Sequence, residues 1–315
     1  MANENLIYAK KNKNDEFYTL LIDIEKEMRN YPSQFLNKTI YCNCDDYRKS
    51  NFVKYFHDNF SVLKIKKLIA TGYNVNGNGI CYMYDGIIEK ITELNGHGDF
   101  RDDECRALLT EADVVVTNPP FSLFREFIAL MMEFNKKFLV IGNKNAITYK
   151  EVFPLIQNNQ LWCGVTMQCG GRFILPSSDT DFTSASYKKV GDNNTVVICG
   201  GHWFTNIVNK QRNLPLDLYK RYNPTEYPKY DNYDAIECGK TCDIPMDYDG
   251  VIGVPITFLD KYCPDQFEIL GLMSGAKGEN LTNGDDGRAK FYINNKGVYA
   301  RILIRHKKYD SNNKK

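Results

Sequence analysis

Asn118-Pro119-Pro120-Phe121 is the stretch of this sequence whose residue types and order suit a specific reaction. An exocyclic amine on an aromatic ring is a poor nucleophile, because its lone pair is delocalised into the ring. Two acceptors aimed at its hydrogens, the Asn118 side-chain oxygen and the Pro119 carbonyl, draw such a nitrogen toward a tetrahedral shape. They also stabilise the positive charge that develops as it attacks a methyl group. Pro119 and Pro120 hold these acceptors rigidly and bring no N–H to compete, and Phe121 offers a face on which an extruded base stacks. No covalent protein nucleophile is required. The sequence has no Pro-Cys dipeptide, which counts against methylation of a cytosine ring carbon through a thiol. The alternative is a bare strand-ending turn, since Pro-Pro punctuates turns in any case.

The tetrapeptide must be presented by a strand before it and a helix after it. Ala112 to Thr117 reads as an apolar strand and Leu123 to Phe134 as a helix, so the motif falls at a strand's carboxyl end, where open α/β sheets bind ligands. The flanking text alternates in the same way. Asp23 to Arg29, Asp102 to Leu109 and a segment capped by Ser50 and running through Phe60 have helical spacing, the last with Phe52, Tyr55 and Phe56 on one face. Lys38 to Cys44, Lys66 to Thr71 and Lys137 to Gly142 read as strands, and Ile80 to Tyr84 with Ile87 to Glu93 as a hairpin around Asp85-Gly86. This predicts an α/β fold with a mostly parallel sheet flanked by helices. Beyond Gln160, the runs Leu161 to Gln168, Arg172 to Leu175 and Thr195 to Cys199 predict an antiparallel edge. Asn206 to Gly250 is rich in Tyr, Asn and Pro and reads as a long ordered excursion or linker. Val251 to Leu259, Phe267 to Leu272, Ala289 to Ile293 and Val298 to Ile304 form a last β-rich block.

Composition excludes other classes. The 315 residues are 43% hydrophobic and 25% charged, which is globular rather than disordered. No run approaches the ~18 apolar residues of a membrane span, and the polar start, Met1 to Asp15, lacks the apolar core of a signal peptide. The reading is a soluble cytoplasmic protein. Its ten cysteines then read as reduced thiols. The close pairs Cys42/Cys44 and Cys238/Cys242 lack a matching second pair, so no metal site is expected. The net charge of +1 conceals a polarity. Arg288 to Lys315 has nine basic residues against Asp310 alone, a net of +8, and Thr241 to Gly287 has nine acids against two lysines, a net of −7. A solvated surface accounts for this, as does a face that holds a polyanion.

Asn-Pro-Pro-Phe after a strand resembles the motif of S-adenosylmethionine-dependent amino-methyltransferases. Three further blocks extend the resemblance: Asp15 to Glu25 (DEFYTLLIDIE), Tyr41 to Asp46 (YCNCDD) with Ser50-Asn51-Phe52, and Gly253 to Lys261 (GVPITFLDK). Together they resemble the EcoRI-type adenine-specific DNA methyltransferase family, from about Lys10 to Lys307. The resemblance implies a Rossmann-like methyltransferase sheet flanked by helices over residues 1–207, and a β-rich target-recognition region over 208–315. It implies S-adenosylmethionine as cofactor and double-stranded DNA as partner, with no membrane, a monomeric enzyme, and a cognate restriction endonuclease only as a genetic partner.

It also implies roles for individual residues. Phe17, Tyr18 and Thr19 are similar to the segment that meets the cofactor's methionine carboxylate. Asn43, Asp45 and Asp46 occupy the cofactor loop after the first parallel strand; which of them touches ligand stays open, and the usual glycine-rich loop is missing there. No acid ends the Lys66 to Thr71 strand, where many relatives hold the ribose. Asp99 is expected to accept from the cofactor's adenine amine and Phe100 to pack on its ring, with a plain helix cap as the alternative. For DNA, the cations and tyrosines between Lys210 and Tyr233 (Lys210, Arg212, Lys220 and Arg221 among them) suit phosphate and base contacts, unless they form a solvated loop. Arg301 and Arg305 share one face of a strand that reads as a phosphate-binding face or a plain edge. The rival functions are methylation of an RNA base or a protein glutamine amide, and a DNA-binding relative that has lost catalysis.

Overall fold

Runs of β-branched and aromatic residues, buried on both sides, build the centre of the molecule. The computed structural model describes residues 18–167, 170–174, 187–189, 195–198, 200–209, 211–273 and 291–307. β1 (Tyr18–Thr19) leads into α1 (Leu21–Met28), and β2 (Thr39–Cys42) is buried along its whole length, as a strand covered by helices on both faces must be. Ser50 caps α2 (Asn51–Asp58) by accepting from the amides of Phe52 and Val53 at 3.1 and 3.4 Å. The helix ends two residues earlier than its apolar spacing suggested. Asn59 breaks it, and α3 (Phe60–Leu63) closes with Lys64 in the left-handed region.

β3 (Lys67–Gly72), β4 (Ile80–Tyr84) and β5 (Glu89–Glu93) follow. The expected hairpin forms with a wider turn, because Asp85 Oδ1 accepts from the amides of Ile87 and Ile88 and keeps both out of the strand. α4 (Asp103–Glu111), β6 (Val114–Thr117), α5 (Phe124–Glu133) and β7 (Lys137–Asn143) then alternate as predicted. After α6 (Phe153–Gln157) come β8 (Trp162–Cys163), β9 (Gly171–Ile174), β10 (Tyr187–Lys189), β11 (Thr195–Ile198) and β12 (Gly201–Thr205).

Among the described residues the main sheet has the order β5-β4-β3-β2-β6-β7-β12-β8. β3, β2, β6 and β7 run parallel, and the outer strands antiparallel. The chain winds outward from β2 to β3, then crosses back to β6 on the other side, so strand order reverses between β2 and β6. The antiparallel edge expected after Gln160 divides in two. β8 joins this sheet beside β12, a strand the sequence reading did not anticipate, while β9 and β11 pair with β1 and β10 in a separate four-stranded sheet. β8 is far shorter than the apolar run around it, because the fully buried Glu27 carboxylate captures the next residues. It accepts from the amides of Val165 and Thr166 at 2.8 and 2.7 Å, and from the hydroxyls of Thr166 and Tyr31 at 2.6 and 2.8 Å. Ile24, Phe35, Ile40, Phe52, Phe56, Leu68, Val116, Ile141 and Trp203 pack the core.

The chain divides into two compact units, the first running to Val152 and resuming over Leu161–Asn209, the second formed by Phe153–Gln160 and the residues from Lys210 onward. The second has its own sheet, ordered β13 (Lys229–Tyr230), β14 (Tyr233–Glu237), β15 (Ile252–Pro255), β19 (Arg301–His306) and β16 (Phe267–Met273). Part of the expected linker thus supplies two strands. The strand expected over Val251 to Leu259 stops at Pro255, and Ile256–Lys261 coils into a 3-10 helix. β17 (Tyr292–Ile293) and β18 (Lys296–Gly297) form a hairpin with Asn294 and Asn295 at φ 50° and 62°, the backbone that a tight two-residue turn demands. β19 lies between β15 and β16, so it is an interior strand and not the edge its alternating charge suggested.

Candidate active site

The carboxyl ends of β2, β3 and β6 meet at the point where strand order reverses, and the side chains there are tied together. Asp45, in the loop after β2, is buried. Its Oδ1 accepts from the Ser50 hydroxyl at 2.6 Å, its Oδ2 from the Thr117 hydroxyl at 2.5 Å, and its amide donates to the Thr71 carbonyl at 3.0 Å. Thr117 is the last residue of β6, so the bond ends beside Asn118. Pro119 is buried, while Asn118, Pro120 and Phe121 are half-buried, with Phe121 packed on the core. A 3-10 turn over Phe121–Leu123 then leads into α5.

Thr19 reaches the same place from β1. Its carbonyl accepts from Asn51 Nδ2 at 2.8 Å, in the first turn of α2, and its Oγ1 is buried with no hydrogen-bond partner. Buried hydroxyls almost always have a partner, so this atom fits a site that a ligand completes. Tyr18, beside it, is half-buried. Phe17, expected with them, lies outside the described residues.

Asn43 is buried, with its amide oxygen 4.0 Å from the Cys44 sulfur. Burial, the Asp45 charge and then the Asp99 charge raise the Cys44 thiol well above the ordinary value. It is therefore protonated at neutral pH and no nucleophile. Asp46 is clamped by Arg48, whose Nε and Nη2 donate to its two oxygens at 2.9 and 3.0 Å. Burial works to raise the Asp46 carboxyl, but the Arg48 bonds outweigh it and leave the pKa below 3.8.

Asp99 is held in the same manner. Arg101 donates from Nε at 2.8 Å, from Nη2 at 2.6 Å and from its amide at 2.9 Å. Burial again opposes these bonds and is outweighed, so the Asp99 carboxyl lies below 3.8. Of the acids that the cap reading took together, Asp102 stands at the N-cap position of α4, and its carboxylate accepts from the Asp99 amide at 3.1 Å. Arg101 also donates to Glu126 of α5 at 2.8 Å, and Phe100 is buried edge-on against Phe127 of that helix, 5.2 Å between ring centres. The segment is thereby fixed to the helix that follows Asn-Pro-Pro-Phe.

The missing glycine-rich loop has a spatial counterpart. Gly98 has φ +81°, and a Cβ there would lie 2.6 Å from the Gly72 carbonyl; a Cβ on Gly79 would lie 2.6 Å from the Gly98 backbone. A Cβ on Gly72 would press on Asp46 at 3.0 Å. Glycines from three segments thus bring the end of β3, the start of β4 and the Asp99 segment into backbone contact. Reading one segment at a time hides this, as it does the roles of Thr71, Arg101 and Thr117. A polar residue ending an apolar strand, as in Val-Val-Val-Thr, is the one signal that Thr117 offered.

The residues expected to touch DNA do not gather in this way. Arg212 is buried: its guanidinium lies 5.0 Å from the Tyr262 ring centre, donates to the Tyr262 carbonyl at 3.2 Å and to Asn159 at 2.8 Å. Arg301 forks onto Glu237 at 2.6 and 2.9 Å and donates to the carbonyls of Tyr299 and Ala300. Both arginines are thus engaged as braces within the second unit, a geometry that does not favour the expected DNA contacts. Arg221 and Arg305 are exposed, Arg221 lying 3.5 Å from Asp247. Lys220 lies 3.8 and 3.7 Å from Glu226 and Asp243. Lys210 lies outside the described residues. No helix among the described residues is long and apolar enough to cross a membrane.

The chain is similar to known proteins along nearly its whole length. The family model described as adenine-specific methyltransferase EcoRI matches residues 5–307. The chain is 44% identical to the type II methyltransferase M.EcoRI of Escherichia coli, over 98% of each chain. It is 39% identical to a type II methyltransferase of Mycoplasma genitalium, over 94% of this chain and 97% of that one. It is 41% identical to the type II methyltransferase M.MpnI of Mycoplasma pneumoniae, over 84% of this chain and 85% of that one. No solved structure matches it significantly.

Proposed function

Because this chain belongs to the EcoRI adenine-specific methyltransferase family, we propose that it methylates N6 of an adenine flipped out of double-stranded DNA, with S-adenosylmethionine as the donor. The observation that carries this reading is the position of Asn118 to Phe121. They leave β6 where strand order reverses, beside the loop after β2, the place where open α/β sheets bind ligands.

The residues present suit the cofactor. The unpartnered Thr19 hydroxyl fits a carboxylate acceptor, Asn43 lies in the loop after β2, and the Asp99 carboxylate, kept ionised by Arg101, is an acceptor for an amine. Phe100 supplies an apolar wall. When bound, S-adenosylmethionine supplies an electrophilic methyl group. Asn118 Oδ1 and the Pro119 carbonyl accept from the adenine amine and stabilise its developing positive charge. Phe121 stacks on the extruded base, and Pro120 keeps the acceptors rigid. No side chain needs to form a covalent bond.

Residues 208–315 serve as the target-recognition region on this reading, with Lys220, Arg221 and Arg305 as DNA contacts among its described cations. On this reading the enzyme works as a cytoplasmic monomer, and any restriction endonuclease of matching specificity is a genetic partner only. Labelled methyl transfer to DNA, RNA and protein, measured in parallel, tests the proposal. Label in DNA as N6-methyladenine is expected; label confined to RNA or protein overturns it.

A further inference from the structure

Building on the reading of Asn118 as the acceptor, we propose that Asp45 is a positioning residue that sets the geometry of Asn118 through Thr117. The sequence suggests a cofactor ligand at Asp45, but its two oxygens face hydroxyls of the protein, Ser50 at 2.6 Å and Thr117 at 2.5 Å. Its amide is anchored on Thr71 at 3.0 Å. One buried aspartate, through its carboxylate and its amide, therefore joins the ends of β2, β3 and β6 to the cap of α2. Ser50 serves both, since the hydroxyl that donates to Asp45 also accepts from the amides of Phe52 and Val53.

Hydrogen bonds to an ionised acceptor are short and roughly twice as strong as neutral ones, and in a buried site they define a single geometry. Thr117 adjoins Asn118 in the chain, so fixing its side chain fixes where the catalytic backbone leaves the sheet. The same end of α2 receives Thr19 through Asn51. Thr117 is the arm of this brace that reaches the acceptor side. An acceptor displaced by about 1 Å costs on the order of 10²-fold in rate, so the brace acts on turnover and leaves ligand affinity little changed.

The test uses the full chain, duplex DNA and S-adenosylhomocysteine as the binding probe. Thr117→Val keeps the side-chain shape and removes the donor. It is expected to lower kcat by about 10²-fold, with S-adenosylhomocysteine affinity within about twofold of wild type, whereas Thr117→Ser retains near-normal kcat. In an Asn118→Ala background, Thr117→Val is expected to add no further loss, because residues acting through one another are not additive. Unchanged kcat in Thr117→Val, an equal loss of probe affinity, or a fully additive double variant overturns the proposal. If Thr117→Val does not fold, Asp45→Asn is judged by the same split between kcat and affinity. Wild-type transfer to DNA is measured first. Its absence overturns the functional reading itself, while its presence beside an unaffected variant overturns the positioning role alone.

Discussion

Asn118 and Asp99 do opposite work at the proposed site, one on the reacting nitrogen and one on the ligand that carries the methyl group. Asn118→Ala removes an acceptor that matters most as charge develops. Turnover is therefore expected to fall by 10²–10³, about 2.7–4 kcal/mol, with S-adenosylhomocysteine binding nearly intact; wild-type turnover in that variant excludes the assignment. Asp99 has a depressed pKa, set by Arg101 against the opposing effect of burial. A depressed carboxylate contributes stability above its ordinary value of 3.8, and that contribution is lost as pH falls through the lower folded value. Melting curves of wild type and Asp99→Asn are expected to differ at neutral pH and to converge in acid below 3.8. A gap that stays constant through that range counts against the Asp99–Arg101 pair.

At the scale of elements, Glu27 of α1 decides where β8 ends. Its fully buried carboxylate accepts from two backbone amides and two hydroxyls across 138 and 139 residues of sequence for Val165 and Thr166, and within one helical turn for Tyr31. Glu27→Ala leaves those buried amides without their charged acceptor, each at a cost of about 1–3 kcal/mol. Urea unfolding is expected to show a loss of about 3 kcal/mol or more, and a loss under about 1 kcal/mol would mean that water replaces the carboxylate. Gly164 faces the same constraint, since a Cβ there would lie 2.5 Å from Glu27.

For the whole molecule, two described cations of the +8 terminus part ways, since Arg301 braces and Arg305 faces solvent. Arg301 and Glu237 have side chains only 14% and 13% exposed, and removing one partner of such a pair costs about 3–5 kcal/mol. Arg301→Ala is therefore expected to lower the unfolding midpoint. Arg305→Ala, on the exposed face of the same strand, is expected to leave stability unchanged and to flatten the salt dependence of DNA binding by about 0.9 for each phosphate that the side chain neutralises. Binding to cognate and random duplexes at several salt concentrations distinguishes them. An unchanged slope for Arg305→Ala means that strand β19 does not meet DNA.

The alternation of strands and helices through β7, and the place of Asn118 to Phe121 at a strand end, were legible in the sequence because they rest on local periodicity and turn chemistry. The family was legible for a related reason, as its blocks are contiguous. The order β3-β2-β6-β7, the division of the later strands between two sheets and the interior position of β19 depend on which strands find each other, and a strand's own residues do not encode its neighbour. The same holds for single side chains. Arg301 and Arg305 share one face of a strand in sequence, yet Glu237, 64 residues away, makes one a brace and leaves the other to face solvent. Asp45 stands in the loop where the resemblance implies a cofactor contact, and nothing in the sequence links it to Thr117, 72 residues on. Hydrogen bonds over such distances form only after the sheet assembles, so tertiary structure alone decides what these charged groups do.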